Sequence, residues 1–175
     1  MTEDPILAPH LKRAALITID VQCDTLDGQP AEIPGTTALL PQIRGLADAF
    51  RTARRPIVHV VRLYRPDGRN VDLCRRTAVA GGARLFLLGS PGAELAPGLA
   101  AGGTRLDGQR LLRGEIQQIA EDEIVIYKSR WGAFYRTALQ AELNRRGIDT
   151  LVFAGANFPT ARGRRSMRRA SATSA

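Results

Sequence analysis

The sequence predicts an α/β fold, a parallel β-sheet flanked by helices. Four short apolar runs are separated by helical or loop-like segments, and strands that alternate with helices form parallel sheets with right-handed crossovers. Polar residues follow several of these runs directly, which is typical of the carboxyl ends of strands in open α/β sheets.

The first third of the chain predicts two strands and one helix. Ala14–Asp20 (AALITID) is a short apolar run that predicts a buried strand, and Pro56–Leu63 (PIVHVVRL) predicts a second. Between them, Thr36–Thr52 has its apolar residues at helical spacing: Leu39, Leu40, Ile43, Leu46, Ala47 and Phe50.

The rest of the chain begins with a long irregular segment. Tyr64–Gly114 is rich in Gly and Pro, and so long a segment in a compact domain is usually functional or carries short helices. Regular elements then return: a strand over Asp122–Lys128, an amphipathic helix over Thr137–Arg146 that ends at Gly147, and a strand over Thr150–Gly155.

The size and composition indicate one domain with a substantial core, since 44% of the 175 residues are hydrophobic. The chain has two cysteines, Cys23 and Cys74, which predict no disulfide framework and fit a reducing cytoplasm. The polar N-terminus MTEDPILAPHLKR does not resemble a signal peptide, and no apolar stretch approaches the length of a membrane span. We therefore expect a cytoplasmic protein with no membrane partner.

The net charge of +8 raises the question of a nucleic-acid partner. Five arginines lie in the last fifteen residues, ARGRRSMRRASATSA, which contain no acidic residue. Residues 1–160 carry 20 basic and 17 acidic groups, a net charge of +3, so the basicity belongs mainly to this tail. A basic-tailed nucleic-acid binder, with salt-sensitive and sequence-independent binding, stays open as the non-enzymatic alternative.

Polar groups follow three predicted strands: Asp20, Lys128 and the segment GANFPT at 155–160. Taken singly, Asp20 is typical of a helix or loop cap, Lys128 of a solvated surface lysine, and residues 155–160 of a turn. Because the carboxyl ends of parallel strands converge on one crevice, we expect these groups to lie together.

The chain resembles the isochorismatase-like cysteine hydrolase family over most of residues 12–160. The resemblance rests on LITIDVQ, VHVVRLYRPDGRNVDLCRR, GSPGAEL, YKSRWGAFYRTALQAELNRRGIDTLVFAG and GANFPT. It implies a Rossmann-like three-layer fold and hydrolysis of the C–N bond of a small amide, or of a related ester, without a cofactor. The substrate is then the small-molecule partner, and the frequent oligomers of the family leave a homo-oligomer open.

The resemblance also implies residue roles. The family triad of Asp, Lys and Cys falls on Asp20, Lys128 and Ala161, and the backbone donors to the oxyanion fall on Gly155, Ala156 and Asn157. Position 161 has no thiol, so we expect a chain impaired as a cysteine hydrolase. The alternative is cysteine-independent hydrolysis of a vinyl ether, with Asp20 as the general acid.

Every residue after Thr160 departs from the family pattern. A set of codons exists that encodes ARGRRSMRRASATSA in one reading frame. When one T is added before these codons, the shifted frame encodes CPRTSIYEASERDFR. This second string is a family-like continuation that begins with the missing cysteine. We therefore expect a one-base deletion at codon 161, either real or from sequencing. Residues 1–160 are then an incomplete hydrolase domain without its C-terminal strands, and 161–175 an out-of-frame tail.

We assign the substrate pocket to Gln22, Trp131, Phe134 and Arg65. For the two aromatic residues, core packing is the alternative. Cys23 is an alternative nucleophile, although a packed thiol fits it better, and without a matching His cluster we expect no metal. Arg65 belongs to a group of arginines that flank the expected site: Arg62, Arg65, Arg75 and Arg76. These side chains either bind a carboxylate substrate bidentately or form a solvated surface.

Overall fold

The computed structural model describes residues 8–155. The strands in this part of the chain are β1 (Ala14–Ile19), β2 (Ile57–Val61), β3 (Gln117–Ala120), β4 (Glu123–Tyr127) and β5 (Thr150–Gly155). The α-helices are α1 (Thr36–Thr52), α2 (Arg76–Ala80), α3 (Gly108–Leu112) and α4 (Leu139–Arg145). The predicted tail and the expected loss of C-terminal strands concern residues outside the described range.

The five strands form one sheet in the order β3-β4-β2-β1-β5. Strands β4, β2, β1 and β5 are parallel, as predicted, whereas β3 pairs antiparallel with β4. Strand β3 was not predicted, because QQIA lacks an apolar run. Gln117 secures this strand instead, since its side chain accepts a hydrogen bond from the Asp107 N–H and donates one to the Arg105 carbonyl.

Helices cover both faces of the sheet, which confirms the three-layer arrangement. Neighbouring residues of β1 point to opposite faces, as a pleated strand requires. Leu16 packs in the cluster that contains Leu40 of α1, and Ile17 packs in the cluster that contains Leu139 and Leu143 of α4.

The long Gly- and Pro-rich segment carries short helices, as the sequence suggested. It contains α2 and α3, and Asp107 caps α3 by accepting a hydrogen bond from the Arg110 N–H at 3.0 Å. Residues of this segment form a third core cluster among themselves, which includes Tyr64, Val71 and Phe86. No helix within residues 8–155 combines the length and apolar character needed to span a bilayer.

A buried polar network joins β1, β2, β4 and the end of α1. His59 Nδ1 lies 2.7 Å from Thr18 Oγ1, and its Nε2 lies 2.9 Å from Glu123 Oε1. Arg51 donates two hydrogen bonds to the Glu123 carboxylate, at 2.8 and 2.9 Å, and the Ala101 N–H donates another. The strands that end at the candidate site are thus tied together from within the sheet.

The protonation states in this network follow from burial and hydrogen bonding. Burial lowers the pKa of His59, so the imidazole is neutral. Burial alone would raise the pKa of Glu123, but the hydrogen bonds from His59 and Arg51 outweigh it and lower the pKa to about 2. His59 is therefore a hydrogen-bonded core residue, as its apolar strand suggested.

Candidate active site

The candidate site lies where the strand order reverses. From β1 the sheet extends through β2 and β4 on one side, while β5 lies on the other side of β1. Open α/β sheets bind ligands at such a switch point, beyond the carboxyl ends of the strands. Asp20 comes directly after β1 and therefore stands at this point.

The backbone of Asp20 is held in an uncommon conformation. Its φ angle of 54° lies in the left-handed region, which residues other than Gly seldom occupy. The Asp20 N–H donates to the Val60 carbonyl at 3.0 Å, and the Asp20 carbonyl accepts from the Gln22 N–H and the Thr25 hydroxyl. Backbone strain that is held by its surroundings in this way is concentrated at functional sites.

Asp20 and Lys128 form a buried ion pair. Lys128 Nζ donates to Asp20 Oδ2 at 2.7 Å, and the exposed fractions of the two residues are 1% and 2%. Burial lowers the pKa of Lys128, the Asp20 carboxylate acts against this, and the Arg62 guanidinium adds to the lowering. The second carboxylate oxygen, Asp20 Oδ1, is buried without a hydrogen-bond partner among the described residues.

Arg62 joins this pair from the end of β2. Its Nη1 donates to Asp72 and lies 3.4 Å from the Tyr64 hydroxyl, which itself donates to Asp72 at 3.1 Å. Its Nη2 lies 3.7 Å from Asp20 Oδ2. Sequence reasoning placed Arg65 in the pocket instead. Arg62 lies inside the predicted strand Pro56–Leu63 and was grouped with other arginines on a basic face, so the strand-end rule did not single it out.

Gln22 holds Arg62 rather than lining the crevice. Its side-chain amide donates to the carbonyls of Arg62 and Ala93, and its Oε1 accepts from the Arg62 N–H at 2.8 Å. The residue is fully buried, so its amide is already used by the backbone. Its contribution is to fix the end of β2.

The other predicted pocket residues differ in their surroundings. Trp131 is 48% exposed, and its ring lies 5.4 Å from the Arg62 guanidinium carbon. Phe134 packs against the core cluster beneath α4. Arg65 is half-buried, and its backbone N–H donates to Asn70 Oδ1 at 2.8 Å. Trp131 is thus the aromatic residue that shares its surroundings with the buried charges.

Gly155 brings β5 against the end of β1. It pairs with Ile19, the residue before Asp20, and has a φ angle of 147°. A Cβ at this position would overlap the Ile19 backbone, so only glycine allows this approach. The other proposed oxyanion residues, Ala156 and Asn157, and the position of Ala161 lie outside the described residues.

Cys23 is poorly suited to replace a missing nucleophile. Its Sγ donates to the Leu95 carbonyl at 3.5 Å, and burial, together with the nearby Asp24 and Glu94 carboxylates, raises the pKa of the thiol. A thiol must ionise to act as a nucleophile. Within residues 8–155, no three His, Cys, Asp or Glu side chains come together as metal ligands.

Comparison with known proteins identifies the family. A family model described as an isochorismatase domain matches residues 14–159. The chain belongs to the isochorismatase family. The resemblance to this family of hydrolases, read from the sequence motifs, is thereby confirmed.

Individual relatives agree with the family model. An isochorismatase family protein from Desulfovibrio vulgaris is 34% identical, with a TM-score of 0.69 over 84% of this chain and 68% of its own. A cysteine hydrolase from Pseudomonas syringae, 19% identical, shares the fold with a TM-score of 0.67 over 90% of this chain and 66% of its own. An Arabidopsis thaliana protein named as a probable inactive nicotinamidase is 28% identical over 87% of this chain and 70% of its own.

Proposed function

We propose that this site is built to hydrolyse the C–N bond of a small amide, or a related ester, through an Asp-Lys-Cys triad that lacks its cysteine in this chain. The observation that carries the proposal is the buried Lys128–Asp20 pair at the strand-order switch point. The two groups are 2.7 Å apart, and the second carboxylate oxygen has no hydrogen-bond partner among residues 8–155. Titratable groups that are buried together at such a point are typical of catalytic centres.

In the complete triad each group has a defined step. Asp20 accepts the thiol proton, and the thiolate attacks the carbonyl carbon to form a tetrahedral oxyanion held by backbone N–H groups of the segment that begins at Gly155. Asp20 then returns the proton to the leaving amine, and a thioester remains. Water attacks the thioester, releasing the acid and the free thiol, while Lys128 keeps the Asp20 carboxylate in place.

Ala161 cannot perform the attack, because a methyl group is not a nucleophile. The family match ends at residue 159, and the arginine-rich segment that follows is outside it. This limit supports a change of reading frame at codon 161. The nucleotide sequence across that codon tests the idea, and an intact frame that still encodes Ala161 would refute it.

The hydrolase proposal is tested by measuring ammonia release from a panel of small amides. We expect no thiol-dependent release by the 175-residue chain, and release by a chain whose frame is restored to begin CPRTSIYEASERDFR at position 161. Release by the 175-residue chain that thiol reagents block would assign the chemistry to Cys23. A restored chain that folds but hydrolyses none of the amides would contradict the proposal.

A second candidate is hydrolysis of a vinyl ether with Asp20 as the general acid, which needs no cysteine. Asp20 Oδ1, which has no hydrogen-bond partner among residues 8–155, supports this candidate, because Lys128 does not engage that oxygen and it is available to pass a proton to a substrate. The two candidates differ in their dependence on position 161. Turnover of a carboxylated vinyl ether by the 175-residue chain, lost in Asp20→Asn, would favour the second candidate.

A further inference from the structure

Arg62 has unused hydrogen-bonding capacity in a place where this is costly. Arg62 is only 1% exposed, yet its Nε and Nη2 have no hydrogen-bond partner among the described residues. A guanidinium presents five N–H donors, and leaving buried donors of a charged group unpaired is strongly unfavourable. Arg62 therefore calls for an acceptor from outside its present neighbours.

The neighbouring carboxylates do not supply this acceptor. Asp72 receives Arg62 Nη1 and the Tyr64 hydroxyl, and Asp20 Oδ2 is bonded to Lys128 Nζ at 2.7 Å. The distance from Arg62 Nη2 to Asp20 Oδ2 is 3.7 Å, which exceeds hydrogen-bond length. The contacts with Asp72 and Tyr64 fix the guanidinium, and its other edge has no partner in the part of the chain that the structure describes.

The unpaired edge has the geometry of a carboxylate receptor. Nε–H and one N–H of Nη2 point in parallel from the same side of the guanidinium plane, and such a pair binds the two oxygens of a carboxylate. Lysine offers no equivalent fork. The free edge thus selects a planar, two-oxygen anion rather than any acceptor.

The charge around this edge also favours an anion. The buried carboxylates of Asp20 and Asp72 face the cations of Arg62 and Lys128, and Arg130 lies 3.9 Å from Asp72 Oδ1. This group of five has a surplus of one positive charge. A bound carboxylate neutralises the surplus.

We propose that Arg62 is the carboxylate-binding residue of this site and that its substrate is a short amide carrying a carboxylate, an inference that rests on the proposed hydrolase function. The 3.7 Å between Arg62 Nη2 and Asp20 Oδ2 places the bound carboxylate close to the reacting amide, so only a few bonds separate the two groups. Trp131, whose ring centroid lies 5.4 Å from the Arg62 guanidinium carbon, is half exposed. Arg62 accordingly sets specificity, while Asp20 and Lys128 serve the chemistry.

The chain provides its own reporter of this binding. Trp131 is its single tryptophan, so intrinsic fluorescence reports on the surroundings of Arg62. The 175-residue chain is titrated with succinamate, an amide with a carboxylate, and with succinamide, the same skeleton without one, at constant ionic strength. We expect a saturable change with succinamate and binding of succinamide that is weaker by about tenfold or more.

Variants assign the effect to Arg62. Arg62→Lys keeps the charge but removes the two parallel N–H donors. It should weaken the binding of succinamate by about tenfold and leave the binding of succinamide unchanged. The matched control Arg105→Gln, at an exposed arginine whose Nε lies 3.5 Å from Glu94, should bind both compounds within about twofold of the parent chain. If Arg62→Lys does not fold, Arg62→Gln takes its place, and a preference for succinamate that survives in a folded Arg62→Gln variant would contradict the proposal.

Several results would overturn the inference. Equal binding of succinamate and succinamide would do so, as would competition by sulfate at the same concentration, which would reveal a general anion site. Failure of the hydrolase proposal is distinguishable, because binding is measured without turnover. A restored-frame chain that hydrolyses both amides equally would leave the hydrolase standing and remove the role of Arg62.

Discussion

Replacing Glu123 by Gln tests whether the buried network holds together the strands that deliver Arg62 and Lys128. Glu123 is 2% exposed and accepts hydrogen bonds from Arg51, His59 and the Ala101 N–H. Its pKa falls from 4.5 to about 2. At about 1.4 kcal/mol per pKa unit, the ionised carboxylate contributes about 3 kcal/mol to the free energy of unfolding.

The sign of this contribution fixes its dependence on pH. The folded pKa is depressed, so the stabilisation is complete above pH 4.5 and is lost as the pH falls towards 2. Urea unfolding of Glu123→Gln should therefore show a loss of about 3 kcal/mol at pH 7, and this difference from the parent should shrink below pH 4.5.

Glu121→Gln is the matched control, because Glu121 lies two residues away and is exposed. We expect it to change the unfolding free energy by less than about 0.5 kcal/mol. A Glu123→Gln variant as stable as this control at pH 7, or a difference unchanged down to pH 3, would refute the reasoning.

Three further predictions concern stability. Gly155→Ala should lower the free energy of unfolding by about 2 kcal/mol or more, because its Cβ overlaps the Ile19 backbone. Gly147→Ala, whose Cβ meets open space, should lower it by about 1 kcal/mol in the same urea assay. Equal losses would show that the close approach is not the cause. In the parent chain the free energy of unfolding should decrease from pH 6.5 to 5, because burial lowers the pKa of His59 and the unfolded chain binds the proton more readily. His59→Gln should make this decrease smaller. An unchanged pH dependence would contradict a neutral His59. The restored-frame chain should melt at a higher temperature and be more soluble than the 175-residue chain, because CPRTSIYEASERDFR replaces a segment without Leu, Ile or Val; matching melting curves would contradict this.

The sequence was sufficient for the parts of the site that follow a simple rule. Asp20 and Lys128 each follow an apolar run, and the convergence of parallel strand ends predicts that they lie together. Helix α1 was predicted with its observed bounds because its amphipathic spacing is long and regular.

Other features depend on contacts between distant residues and were not visible in the sequence. Arg62 was one of several arginines on a basic face until its pairing with Asp72 and its burial distinguished it. The role of Gln22 depends on the backbone of Ala93, 71 residues away. Strand β3 forms because β4 offers an edge, and its own composition gives no such signal.

The effect of Asp20→Asn on amide hydrolysis tests the central claim most directly. In the restored-frame chain, with a cysteine at position 161, asparagine keeps the shape of Asp20 but cannot accept the thiol proton or pair with Lys128 as an anion. We predict a fall in kcat of at least about a hundredfold, with the fold retained by circular dichroism. A folded Asp20→Asn variant that hydrolyses the same amide at the rate of the restored chain would contradict the account.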